Sequence, residues 1–70
     1  MSEDAVLTGK VKNALMVSKV PTGKLNVDTV KGVVTLSGRV KTRDEESRAI
    51  ALARAVRGVA DVKSDLKIQP

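Results

Sequence analysis

The stretch Gly32-Val33-Val34-Thr35-Leu36-Ser37-Gly38-Arg39-Val40 narrows what this chain can fold into more than any other. Its residues alternate, which puts Val34, Leu36, Gly38 and Val40 on one face of a strand and Thr35, Ser37 and Arg39 on the other. Lys31-Gly32 reads as a hairpin-type turn, with the glycine free to take a positive φ. Gly38 stands where a side chain would point at the core. That position predicts either a helix crossing closely or a bulge in the strand. The strand runs from Val33 to Lys41, and the segment before the turn, Lys24 to Val30, sets Leu25 and Val27 against Asn26 and Asp28 as a second half-buried strand.

Helical spacing flanks this hairpin. Leu7, Val11, Ala14 and Leu15 form one apolar stripe, with Val6 and Val17 beside Lys10 off its edge. Ser2 or Asp4 can cap this helix, which is expected from about Asp4 to Lys19 and closed by Pro21-Thr22-Gly23. Thr42-Arg43-Asp44-Glu45 fits a capping box with Thr42 as N-cap and Glu45 reaching back. A second helix then runs to about Val56, burying Ala49, Leu52, Ala53 and Val56. Acids stand at its start and Arg54 and Arg57 at its end, an order that complements the helix dipole, and Gly58 is the expected left-handed C-cap. Val59 leads into a third strand with Val62, Leu66 and Ile68 inward, Ser64 in the same row, and Asp61, Lys63, Asp65 and Lys67 outward.

The element order is α-β-β-α-β, an α+β fold with two helices packed on one face of a three-stranded sheet. A parallel crossover through the second helix favours a mixed sheet with the second strand central; a fully antiparallel sheet with the first strand central is the alternative. Seventy residues allow one domain, 1–70, with a core of about residues 4–69. No aromatic and no cysteine is present, so the core is built of Val, Leu, Ile, Ala and Met with no disulfide to reinforce it. A core this small rarely supplies more than about 3–5 kcal/mol.

The same composition argues against catalysis. Without His or Cys the commonest nucleophile–base pairs and zinc ligands are missing. Asp44, Glu45 and Glu46 are the one carboxylate cluster, and at a helix start they read as cap and dipole partners with no loop to wrap a cation. Gly32, Gly38 and Gly58 are too widely spaced for a phosphate loop and read as structural glycines. The chain is expected to be no enzyme and to carry neither metal nor cofactor.

Thirteen Lys and Arg against eight Asp and Glu give a net charge of +5, which favours anionic partners. At ~100° per residue, Arg43, Ser47, Ile50, Arg54 and Arg57 fall along one flank of the second helix, away from its buried residues. Basic residues with one aliphatic among them suit an anionic lipid surface, with Arg43, Ile50, Arg54 and Arg57 as the contacts. The same pattern also describes a solvated flank whose arginine stems shield the core edge. Nucleic acid fits poorly, because no aromatic can stack on a base and the second helix is acidic where a recognition helix would be basic. No apolar run reaches the ~20 residues of a membrane span, so any membrane contact is peripheral. Met1-Ser2-Glu3-Asp4 lacks the basic-then-apolar character of a signal peptide, which leaves the cytoplasm open as a location.

Leu25, Val27, the Gly32–Val40 stretch, Ala49 and Ala53, Val56-Arg57-Gly58-Val59, Val62, Leu66 and Ile68 together resemble the BON domain, the module of bacterial osmotic-stress and nodulation proteins. The resemblance runs from about Leu7 to Ile68 and departs from the family at the short Val20-Pro21-Thr22-Gly23 connection. It implies an α-β-β-α-β fold, a place in the periplasm or cell envelope, and a role in binding phospholipid surfaces under osmotic stress, with no catalytic residues. Family members occur in two copies or beside other domains, and accompany secretins, channels and peptidoglycan-binding modules. The alternatives are a protein-interaction or oligomerisation module, monomeric or weakly oligomeric, using the open sheet edge or the Val6/Val17 edge, and a sensor of a small ligand or ion.

Overall fold

The computed structural model describes residues 2–70; Met1 lies outside them. The elements are α1 (Glu3–Val17), β1 (Leu25–Val30), β2 (Val33–Val40), α2 (Arg43–Ala55) and β3 (Asp61–Ile68). The strand order is β1-β2-β3, with β1 antiparallel and β3 parallel to the central β2. Of the two sheets the sequence allowed, the mixed one forms. α1 packs on β1 and α2 on β2 and β3, so the two helices share one face of the sheet.

The register sets the faces. Val27, Leu36 and Ser64 lie side by side, as do Thr29, Val34 and Val62, and this row set faces the helices. Val11, Leu15, Val34, Leu36, Ala49 and Ala53 are fully buried between the layers. Both helices therefore contribute small or aliphatic side chains, and the close α2–sheet approach needs the alanines. Ile68 shares the inward row yet stays 38% exposed, because β3 ends beyond the start of α2, where little covers it.

Some helix ends follow the sequence reading and others differ from it. Ser2 is the N-cap of α1, accepting the Ala5 N–H at 3.2 Å. α1 stops at Val17, ahead of the Pro21-Thr22-Gly23 segment. The Lys19 N–H reaches the Met16 carbonyl at 3.0 Å and the Val20 N–H the Leu15 carbonyl at 2.9 Å, a Schellman closure. It places Lys19 at φ +61, a conformation usually left to glycine, and buries Val20 against the core. Thr42 caps α2 as expected, accepting the Glu45 N–H at 3.1 Å, but the Glu45 carboxylate reaches back to the Lys41 N–H, one residue before the cap.

Gly38 fits neither alternative the sequence posed, since its pairing with β1 runs through Leu25 and Lys24 without an inserted residue. No helix crosses there. A Cβ on Gly38 would run into the Lys24 carbonyl oxygen and lie 3.3 Å from the Leu25 Cα, so the neighbouring strand's backbone is what comes close, and φ is +105. Lys31 and Gly32 both take positive φ, +50 and +79, the pair a two-residue type I′ hairpin turn demands. Gly58 also takes positive φ, but it sits two residues past the C-cap Val56, as the third residue of the turn closed by the Val59 N–H to Val56 carbonyl bond of 3.1 Å.

Candidate functional surface

α2 has two unlike flanks. On one, Arg48 donates to the Ser18 carbonyl oxygen at 2.8 Å, bringing a cation to the end of α1, whose own last turn has none. On the other, Ser64 of β3 donates to the Glu46 carboxylate at 3.0 Å. Glu46 is thus the marker of the side turned away from α1. At ~100° per residue, Arg43, Ile50 and Arg54 lie on the Glu46 side, so the basic flank expected from the sequence faces outward along β3.

Arg43, Arg54 and Arg57 are exposed. Arg43 and Arg54 are about 16 Å apart along the helix, and Arg57 lies beyond its end, in the turn to β3. Arg43 and Arg54 share one flank, whereas Arg57, which helical spacing put with them, leaves it because α2 ends at Ala55 and the turn carries Arg57 toward the start of α1. Ile50 between Arg43 and Arg54 is half-buried and packs against the core, so only part of it reaches the surface. Arg39 directs its guanidinium to Gln69 at 3.1 Å, whereas Arg43, Arg54 and Arg57 make no side-chain hydrogen bond among the described residues.

Arg57 also belongs to a second group. An open hollow of about 340 Å³ lies between the start of α1, the β1–β2 turn and the α2–β3 turn, with Lys10, Lys31 and Arg57 around it and Glu3 as the one acid. The meeting of Lys31 with Arg57 was not legible in the sequence, because a hairpin turn and a helix exit become neighbours only in the folded chain. Lys10 had a signal, its place beside Val6, which lines the same hollow.

Apolar side chains are exposed on α1 as well as at Val30 of β1 and Ile68 of β3. Val6 is 38% exposed, Met16 63% and Val17 73%. Val6, Lys10 and Val17 share a line on the helix as the spacing implied, and Met16 adjoins a hollow of about 200 Å³ with Leu25 and Val27. Among the described residues no helix is long and apolar enough to cross a membrane.

Comparison with known proteins agrees with this architecture. Residues 3–70 match the sequence model of the BON domain. The chain is 42% identical over 65 residues to osmotically-inducible protein Y of Escherichia coli (strain K12), an alignment covering 91% of this chain and 32% of that protein. The chain thus spans about a third of the length of this relative. A match over nearly every residue, together with the α-β-β-α-β order and the mixed sheet, places the chain in the BON domain family.

Proposed function

We propose that this BON domain is a non-enzymatic attachment module that associates with the cell envelope through anionic phospholipid under osmotic stress. The observation that carries the reading is the pair Arg43 and Arg54 on the flank of α2 turned away from α1, with Ile50 between them and Arg57 exposed in the turn past the helix end. Cations spread out in this way fit a flat charged surface better than a small solute, which needs converging groups. The half-buried Ile50 offers a little carbon at headgroup depth, and with no aromatic in the chain to anchor at the interface, binding is shallow and electrostatic. Each arginine near an anionic surface contributes about 1 kcal/mol, so three together give an attachment that salt readily reverses. Membership of the BON family and likeness to an osmotically inducible protein support the stress context and a periplasmic or envelope location.

Vesicle sedimentation tests the reading. The protein is expected to pellet with vesicles containing phosphatidylglycerol, to stay in solution with phosphatidylcholine alone, and to lose pelleting when Arg43, Arg54 and Arg57 are all replaced by Gln. Equal pelleting with both vesicle types, or no change in the triple variant, rejects it.

A second reading has its own observation. The exposure of Met16 and Val17 at the end of α1 suits contact with another protein. In that case Val17→Asp, and not the arginine variant, abolishes association.

A further inference from the structure

β3 is paired on one side only. Every residue from Asp61 to Ile68 is in register with β2, and the other side carries no strand among the described residues. The hydrogen bonds show which donors face outward. The Gln69 N–H turns in to the Val40 carbonyl at 2.8 Å, while the Val62 N–H is held by its neighbour Asp61 at 2.8 Å and the Leu66 N–H leans on Ser64 Oγ at 3.4 Å. From Val62 onward the free edge therefore belongs to the even-numbered residues, since amide direction alternates along a strand.

We infer that this edge pairs with the same edge of a second copy of the chain, antiparallel about a two-fold axis at Ser64. In that register Val62 and Leu66 of the two copies exchange backbone hydrogen bonds, as do the two Ser64 residues; the Val62 and Leu66 N–H groups point outward and trade the Asp61 carboxylate and the Ser64 hydroxyl for carbonyls of the second copy. The odd-numbered residues fall at the positions between, where antiparallel side chains come closest. There Asp61 stands opposite Lys67 of the second copy, and Lys63 opposite Asp65, each pair occurring twice. The order Asp-Val-Lys-Ser-Asp-Leu-Lys is its own charge complement when reversed.

The pattern also excludes its neighbours. Slipping the register by two residues sets Lys63 against Lys63 or Asp65 against Asp65, so the wrong alignments repel. β1, the other edge, carries one charge, Asp28, and has no such pattern. The two-fold lies perpendicular to the sheet, so the result is a closed pair with six strands and no growing filament. It joins four helices on one face and brings both arginine flanks to the same side. Those arginines oppose the pairing, and the edge is smaller than a standard interface, so the dimer is weak and forms at high protein concentration.

Sedimentation equilibrium in lipid-free buffer tests this independently of any membrane reading. The expected result is a mass that rises toward twice the monomer with concentration. Lys63→Asp and Asp65→Lys are each expected to weaken dimerisation about tenfold or more, since each sets like charges opposite one another twice. The two single variants mixed together, or combined in one chain, restore it. Circular dichroism checks that the variants fold; both positions are exposed and outside the core. A monomer at every concentration, or a dimer indifferent to both reversals, overturns the inference.

Discussion

Asp4 and Gly32 stand 28 residues apart in the chain, and the carboxylate of one accepts the backbone N–H of the other at 3.0 Å. The second carboxylate oxygen takes the Lys31 N–H at 2.9 Å. One side chain from the first turn of α1 thereby holds both central amides of the β1–β2 turn, and ties the start of the helix to the tip of the hairpin. Asp4→Ala is expected to cost about 1–3 kcal/mol, the range for hydrogen bonds to a charged group. Urea unfolding followed by circular dichroism measures it; a loss within error of zero would mean water replaces the carboxylate without cost.

The glycines divide by what surrounds them. Gly38→Ala forces a methyl group into the Lys24 carbonyl at a positive φ, and is expected to abolish folding or cost more than about 3 kcal/mol. Gly9 lies on the exposed side of α1 with nothing within 4 Å of an added Cβ. Gly9→Ala is expected to raise stability by about 0.5–1 kcal/mol through helix propensity and the unfolded chain. Melting temperatures of the two variants should move in opposite directions.

Lys19 occupies a left-handed site without being glycine. Lys19→Gly removes the strain while the Schellman hydrogen bonds stay, and is expected to gain about 1 kcal/mol. A loss of stability on that substitution, read by the same unfolding curves, would show that the lysine stem shields Val20.

Leu36 is fully buried at the centre of β2. Leu36→Ala is expected to cost about 2–5 kcal/mol. A domain this small holds about that much in total, so the variant should be largely unfolded at room temperature. A cooperative melt close to that of the parent protein would contradict the packing described.

How much of this was legible in the sequence depends on the range of the interaction. Alternation in Val33–Val40 and Asp61–Ile68 gave away both faces of the sheet, because a strand reports its environment every second residue. The Thr42 cap was equally visible, since its partner Glu45 is three residues away. The end of α1 was misjudged because proline and glycine are strong local signals, while the actual stop depends on Val20 finding a buried seat beneath Leu15. Gly38 announced a close approach but not its partner, which register alone decides. That Arg43 and Arg54 share one flank of α2 was readable from helical spacing, but the place of Arg57 was not, because the helix ends at Ala55. That this flank faces outward along β3 required Glu46 to meet Ser64 and Arg48 to meet Ser18, two contacts across distant parts of the chain.

At the margin of the aliphatic interior, half-buried Thr8 of α1 and buried Thr29 of β1 join hydroxyl to hydroxyl at 2.8 Å. Hydrocarbon surfaces slide over each other with little preference, whereas this bond exists at a single setting of helix against strand. Losing the Thr8 hydroxyl leaves that of the buried Thr29 without its partner. Thr8→Val combined with Thr29→Val would leave α1 greasier and free to shift along the sheet, with adhesion in place of a defined seat.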